Sequence, residues 1–184
     1  LEEKRQRVIS VSLLDSAQSQ DDTLLGQQGL DENTQAVLAV YLEDTQKKLA
    51  VFDDLYDKIN ALRTIINKRF LNKKMIIDKE QGFVFEMQDG KRLAPSDLSS
   101  GEQHELILFY ELLFRVPAGA LILIDEPEIS LHVAWQVEFL RDLQEVVRLA
   151  DIDILLATHS PQIINDRWDL TVELKGLASE AVSE

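Results

Sequence analysis

Apolar positions recur at three- and four-residue steps, or sums of these, across residues 31–72. They are Leu38, Leu42, Leu49, Phe52, Tyr56, Ile59, Ile66 and Phe70, with Thr45 and Arg63 filling two gaps. No Pro or Gly interrupts the run, so the spacing predicts a long amphipathic helix or a helical hairpin arm. Residues 1–30 are weakly patterned. Val8, Val11, Leu13 and Leu14 suit a short strand or helix, and 18–29 reads as a polar loop. Beyond the arm, Met75-Ile76-Ile77 and Phe83-Val84-Phe85 are short apolar strands of a β-hairpin, and Asp89-Gly90 is a good turn dipeptide. A linker at 94–97 leads into a helix start. Helices and apolar strands then alternate: helix 101–114, strand 120–124, helix 132–149, strand 152–157, short helix 161–165 and a last strand at 170–174. That alternation predicts an α/β fold with a parallel sheet covered on both faces. Three segments follow: a lead-in (1–30), a helical arm (31–74) and an α/β lobe (75–184).

Composition narrows the class. With 184 residues, 45% hydrophobic and 28% charged, the chain is long enough for one domain with a real core. It opens on Leu1 and Glu2-Glu3-Lys4-Arg5, which reads as the interior of a longer polypeptide. No apolar run approaches the roughly 20 residues of a membrane span, so no membrane role is expected. The absence of cysteine excludes disulfides and thiolate metal sites and fits a cytoplasmic protein. A net charge of −14, from 33 acids against 19 bases, disfavours nucleic-acid binding across the whole surface. The bases nevertheless gather at Lys58, Arg63, Lys68, Arg69, Lys73 and Lys74, as a solvated helix face or a DNA-facing strip.

Three local patterns carry chemistry. Ala120-Leu121-Ile122-Leu123-Ile124-Asp125-Glu126-Pro127 is an apolar strand ending in two carboxylates, at the sheet edge where α/β folds bind ligands. An Asp there suits Mg²⁺, and the adjacent Glu suits activation of a water; a strand ending in a plain polar turn is the simpler alternative. Leu98-Ser99-Ser100-Gly101-Glu102-Gln103 opens a helix whose free N–H groups suit an anion. The same residues also make an ordinary capping box. Asp153-Ile154-Leu155-Leu156-Ala157-Thr158-His159-Ser160 is a second apolar strand ending in a histidine, which is a structural residue or, at that edge of the sheet, one placed to reach a terminal phosphate. His104 and His132, with Glu128, lack ligand spacing and read as capping or surface residues; Trp135 and Trp168 read as core or interface residues.

Taken in order, LSSGEQ, ALILIDEPE and LLATHS resemble the second half of an ABC-class ATPase: signature, Walker B strand and switch histidine. The resemblance covers residues 75–174. It implies ATP and Mg²⁺ as cofactors, with Asp125 on the metal, Glu126 as the catalytic base and His159 contacting the γ-phosphate. Ser99, Ser100, Gly101 and Glu102 are then the signature that closes on ATP held by a second subunit. Residues 128–132 occupy the position of the D-loop, between the two sites of a dimer. One part is missing: no G-x-x-x-x-G-K-[S/T] occurs, and neither Gly90-Lys91-Arg92 nor the Gly26 region fits it. The phosphate-binding lobe is therefore expected upstream or on another chain, leaving this chain inactive alone.

Within the class, DEPEISLH and ATHSP are similar to the SMC-like and overcoming-lysogenization-defect-like branch, above all the ATPases of Septu and retron anti-phage systems. That resemblance implies a head-to-tail dimer acting with an effector such as an HNH nuclease. In retron systems it also implies DNA or a reverse transcriptase with its RNA–DNA product. The leading expectation is an ATP-hydrolysing switch in DNA defence or maintenance. The alternative is a nucleotide-locked scaffold that restrains a toxic partner with little hydrolysis; a transporter energiser fits least.

Overall fold

The computed structural model of the chain describes residues 2–11 and 32–174. Three helices lead: α1 (Glu2–Ser10), α2 (Glu32–Ala50) and α3 (Asp53–Arg69). The apolar run, expected as one long helix or as a helical hairpin arm, divides into two helices at Val51 and Phe52, without a Pro or Gly. Charge supplies the punctuation. Lys47 and Lys48 sit in the last turn of α2, and Asp53 and Asp54 in the first turn of α3. Each suits the helix end it occupies, because free carbonyls attract cations and free N–H groups attract anions. Val8 and Val11 are buried at the α1 end, while Leu13, Leu14 and the expected loop 18–29 lie outside the described residues. Lys4 pairs with Asp53 at 2.7 Å, and the Arg7 guanidinium lies 5.3 Å from the Tyr56 ring centroid, so α1 is held against α3.

The hairpin is a three-stranded antiparallel meander. β1 (Lys73–Asp78) pairs with β2 (Gly82–Met87) in the register Met75↔Phe85, and β3 (Arg92–Leu93) follows. The Asp78 carboxylate accepts the N–H groups of Glu80 and Gln81 in the first turn. Asp89-Gly90 makes the second, where Gly90 takes φ +82°. A short 3₁₀ turn (Pro95–Asp97) then feeds α4 (Ser100–Phe114).

The α/β unit is β4 (Leu121–Asp125), α5 (Val133–Ala150) and β5 (Asp153–Ala157), with the strands parallel from Leu121↔Asp153 to Asp125↔Ala157. Fold class and element order match the expectation; the coverage of the sheet does not. Ile122, Ile124, Ile154 and Leu156 turn into the core, but Leu121, Leu123 and Leu155 are 63%, 71% and 63% exposed. Among the described residues, helices therefore cover one face only. The strand expected at 170–174 is also absent: a 3₁₀ turn (Trp168–Leu170) runs into irregular chain with Val172 and Leu174 exposed. A strand needs a neighbour for its backbone groups, and 170–174 pairs with none among the described residues.

One core joins α3, the meander, α4 and α5. Leu62, Ile65, Ile66 and Phe70 of α3 and its end meet Met75, Phe85, Phe109, Leu113, Phe139 and Val146. Set within that apolar surface is a cluster of charge. Arg69 of α3 pairs with Glu105 of α4 and Asp142 of α5, all three buried, and lies over the Phe109 and Phe139 rings at 5.2 and 6.0 Å. Burial lowers the Arg69 pKa from its ordinary value, and Asp142 opposes that. The basic strip also dissolves in three dimensions. Arg69 is buried, Lys73 pairs with Glu102, Lys58 with Asp54, and Arg63 bonds Asn60 and the Ser10 carbonyl. Lys68 and Lys74 are exposed.

Arg69→Met is expected to cost about 3–5 kcal/mol in urea unfolding, because it strands two buried carboxylates. Adding Glu105→Leu and Asp142→Leu should restore most of that loss.

Candidate functional site

β4 and β5 are hydrogen-bonded neighbours running the same way, so their C-terminal ends open side by side. Asp125 ends β4, and Glu126 follows it with its N–H on the Ala157 carbonyl at 2.9 Å. At the end of β5, Thr158, His159 and Ser160 turn out of the sheet. His159 Nε2 stands 3.6 Å from Glu126 Oε1, beyond a direct hydrogen bond but close enough for electrostatic contact. The structure thus brings Asp125, Glu126 and His159 to one edge. Asp125 is exposed, and its carboxylate has no partner among the described residues.

Glu126 is also the residue with unusual backbone. It takes φ 44° and ψ 54°, the left-handed region that a side chain with a Cβ enters at a cost of about 1–2 kcal/mol. A 3₁₀ turn (Pro127–Ile129) follows at once, so the strand reverses sharply and presents the carboxylate at the rim. Strain of this kind gathers where geometry serves a site.

The loop beyond is tied to its neighbour. Glu128 accepts the Thr158 hydroxyl, 2.8 Å from both of its oxygens, and the His159 N–H at 2.7 Å. Burial acts to raise the Glu128 pKa. Hydrogen bonds from its own backbone, Thr158, and the His159 and Ser160 backbone outweigh that and hold the carboxyl below its usual value. Gln136, buried on α5, donates to the carbonyls of Glu128 (3.3 Å) and Leu131 (3.4 Å) and accepts the Ser160 hydroxyl at 2.9 Å. Neither residue's role was visible in the sequence. The available signal was Gln136 itself, a polar residue in the buried stripe of α5 with Phe139, Leu143 and Val146.

The α4 start carries its own capping network. Ser99 caps the helix and Glu102 answers with its side chain on the Ser99 N–H and hydroxyl. Lys73 binds both Glu102 oxygens at 2.7 Å. Burial acts to raise the Glu102 pKa, but Lys73 and Ser99 together keep it below the usual carboxylate value. That carboxylate is committed, whereas the N–H groups of Ser100 and Gly101 meet no acceptor among the described residues. A Cβ on Gly101 would sit 3.9 Å from the Ser130 carbonyl, so the helix start adjoins the loop after β4.

The same geometry settles the remaining histidine and tryptophan candidates. His132 caps α5, its Nδ1 accepting the Ala134 N–H at 3.2 Å, and its ring lies tilted 5.7 Å from that of Trp135. Trp135 is half-buried against Phe70, Trp168 is exposed, and no group of three or more His, Asp or Glu is disposed around a metal among the described residues.

The profile of one protein family matches residues 2–165, from α1 to the end of α6 (Pro161–Ile164). The chain belongs to the family described as AAA domain, putative AbiEii toxin, Type IV TA system. No curated protein matches it. As an AAA domain the chain is of the nucleotide-binding ATPase class, whose members use ATP and Mg²⁺. The residues at the AAA domain's rim fit that ion. Mg²⁺ prefers hard oxygen, keeps several waters and needs only one or two carboxylates beside substrate phosphates, and Asp125 offers a free one. No helix among the described residues is long and apolar enough to cross a membrane.

Two outcomes follow from this geometry. Glu126→Gly should raise stability by roughly 0.5–1 kcal/mol, since relief of the left-handed backbone exceeds glycine's extra chain entropy. Glu126→Ala, which keeps the strain, should not, and urea unfolding distinguishes them. Glu102 and Glu128 have folded pKa values below the unfolded value of about 4.3. Their stabilisation is therefore full above that pH and lost as pH falls through the folded values. The stability gap between wild type and Lys73→Met should accordingly narrow on acidification from pH 7 towards 3.

Proposed function

We propose that this AAA domain is the signature-bearing half of an ATP-hydrolysing switch, with its catalytic rim at Asp125, Glu126 and His159. The convergence of these three side chains at the C-terminal ends of two adjacent parallel strands, with His159 3.6 Å from Glu126, carries the reading. Asp125 would hold Mg²⁺ through a carboxylate oxygen. Bound Mg²⁺ would supply charge neutralisation at the phosphates. Glu126 would take the proton of the attacking water, and His159 would donate an N–H to the terminal phosphate. The work is positioning and electrostatics around phosphoryl transfer.

Ser99, Ser100, Gly101 and Glu102 would serve a second subunit's nucleotide in a head-to-tail dimer. The two free amides at the α4 start support that role. The phosphate-cradling loop would come from polypeptide outside these residues. In favour of this, Leu121, Leu123 and Leu155 leave one sheet face bare, whereas parallel sheets are normally covered on both. The family's description as a putative toxin of a type IV toxin–antitoxin system favours a defence role. In such a role, hydrolysis would control an effector such as an HNH nuclease, as in Septu or retron ATPases. DNA or a reverse transcriptase with its RNA–DNA product would be a further partner.

Steady-state ATP hydrolysis by the intact protein should be lost in Glu126→Gln by about 10²–10⁴-fold, with ATP binding retained. Binding by both proteins with turnover by neither would replace this reading with the nucleotide-locked scaffold.

A further inference from the structure

We propose that Glu128 is a positioning residue for His159: its carboxylate braces the loop after β5 against the loop after β4 and so fixes the imidazole beside Glu126. The inference rests on the role given to His159 above and adds the residue that sets its place.

The brace has two parts. Glu128 binds the loop after β5 at consecutive residues, through the Thr158 hydroxyl and the His159 N–H. The Thr158 hydroxyl in turn accepts the Ser160 N–H at 3.0 Å, so the turn closes on itself around one carboxylate. Hydrogen bonds to an ionised acceptor are stronger than those between neutral groups. Gln136 makes the second link from beneath. Its amide ties the backbone of the first loop, at Glu128 and Leu131, to the Ser160 hydroxyl of the second. The His159 side chain itself is exposed, with Glu126 as its electrostatic contact. Its place is therefore set through its backbone, and that backbone is held by Glu128. Any movement of the loop at 127–132 is carried to His159 without passing through the sheet.

Two measurements test this. The first is amide hydrogen exchange of the protein without nucleotide. Glu128→Ala should speed exchange at His159 by about tenfold or more, and Glu128→Gln, which keeps one acceptor, by less. The second is a double-mutant cycle on ATP hydrolysis by the intact protein. Glu128→Ala should lower kcat about 10- to 100-fold with little change in KM, and Glu128→Gln should recover part of it. Glu128→Ala combined with His159→Ala should be no worse than His159→Ala alone. Independent, additive losses, or unchanged exchange at His159, would overturn the proposal. If Glu128→Ala does not fold, Glu128→Gln is judged by the same two criteria. Glu126→Gln separates the two claims: normal turnover in that variant overturns the proposed hydrolytic site, and exchange at His159 then judges the brace by itself.

Discussion

A guanidinium buried between two carboxylates and two phenylalanine rings holds α3, α4 and α5 at a single point. Desolvating three charges is costly, and apolar side chains of similar volume often serve stability as well or better. What the cluster supplies is a definite answer to which helices meet and in what register. Arg69 belongs to the helical segment, Glu105 to the helix that begins at Ser100, and Asp142 to the crossover helix between β4 and β5. The arm, the signature-like helix start and the sheet that carries the rim therefore meet at one ionic contact. A shift of α3 that displaced Arg69 would leave two carboxylates buried without their cation.

The rim works on a different economy. Its side chains are exposed or half-exposed, and its order comes from short loops rather than from packing. Glu126 adopts a left-handed backbone that glycine would take without strain, and Pro127 then starts a tight turn. The cost of that conformation is met by the bonds next to it, through the Ala157 carbonyl, the Glu128 carboxylate and the Gln136 amide. Strain and polar bracing occur together because a carboxylate held at a strand end, clear of its own sheet, has no apolar contacts to keep it there.

Much of this was legible from spacing. The helices at 101–114 and 132–149 and the strands at 120–124 and 152–157 fall within a residue or so of the observed elements, because apolar periodicity and burial agree there. Ser99 and Glu102 announced a capping box, and the box is formed. A hairpin arm was one of two readings of the long helical run, but the place of its break was not read, though Lys47, Lys48, Asp53 and Asp54 mark it by charge. Residues 170–174 have strand composition but no neighbour among the described residues, and composition cannot supply a partner strand.

The sequence by itself determined the α/β order, the two strand ends and the residues that crown them, since each follows from local pattern and from carboxylates or a histidine placed just after an apolar run. Only the tertiary structure decided what those residues do to one another. Arg69 reads as one of six nearby bases and proves to be buried; Glu128 reads as a loop acid and proves to hold the backbone of His159, thirty-one residues away. The physical reason is that a charge's meaning depends on its distance to other charges and to water. Neither distance exists until helices from separate parts of the chain have packed together.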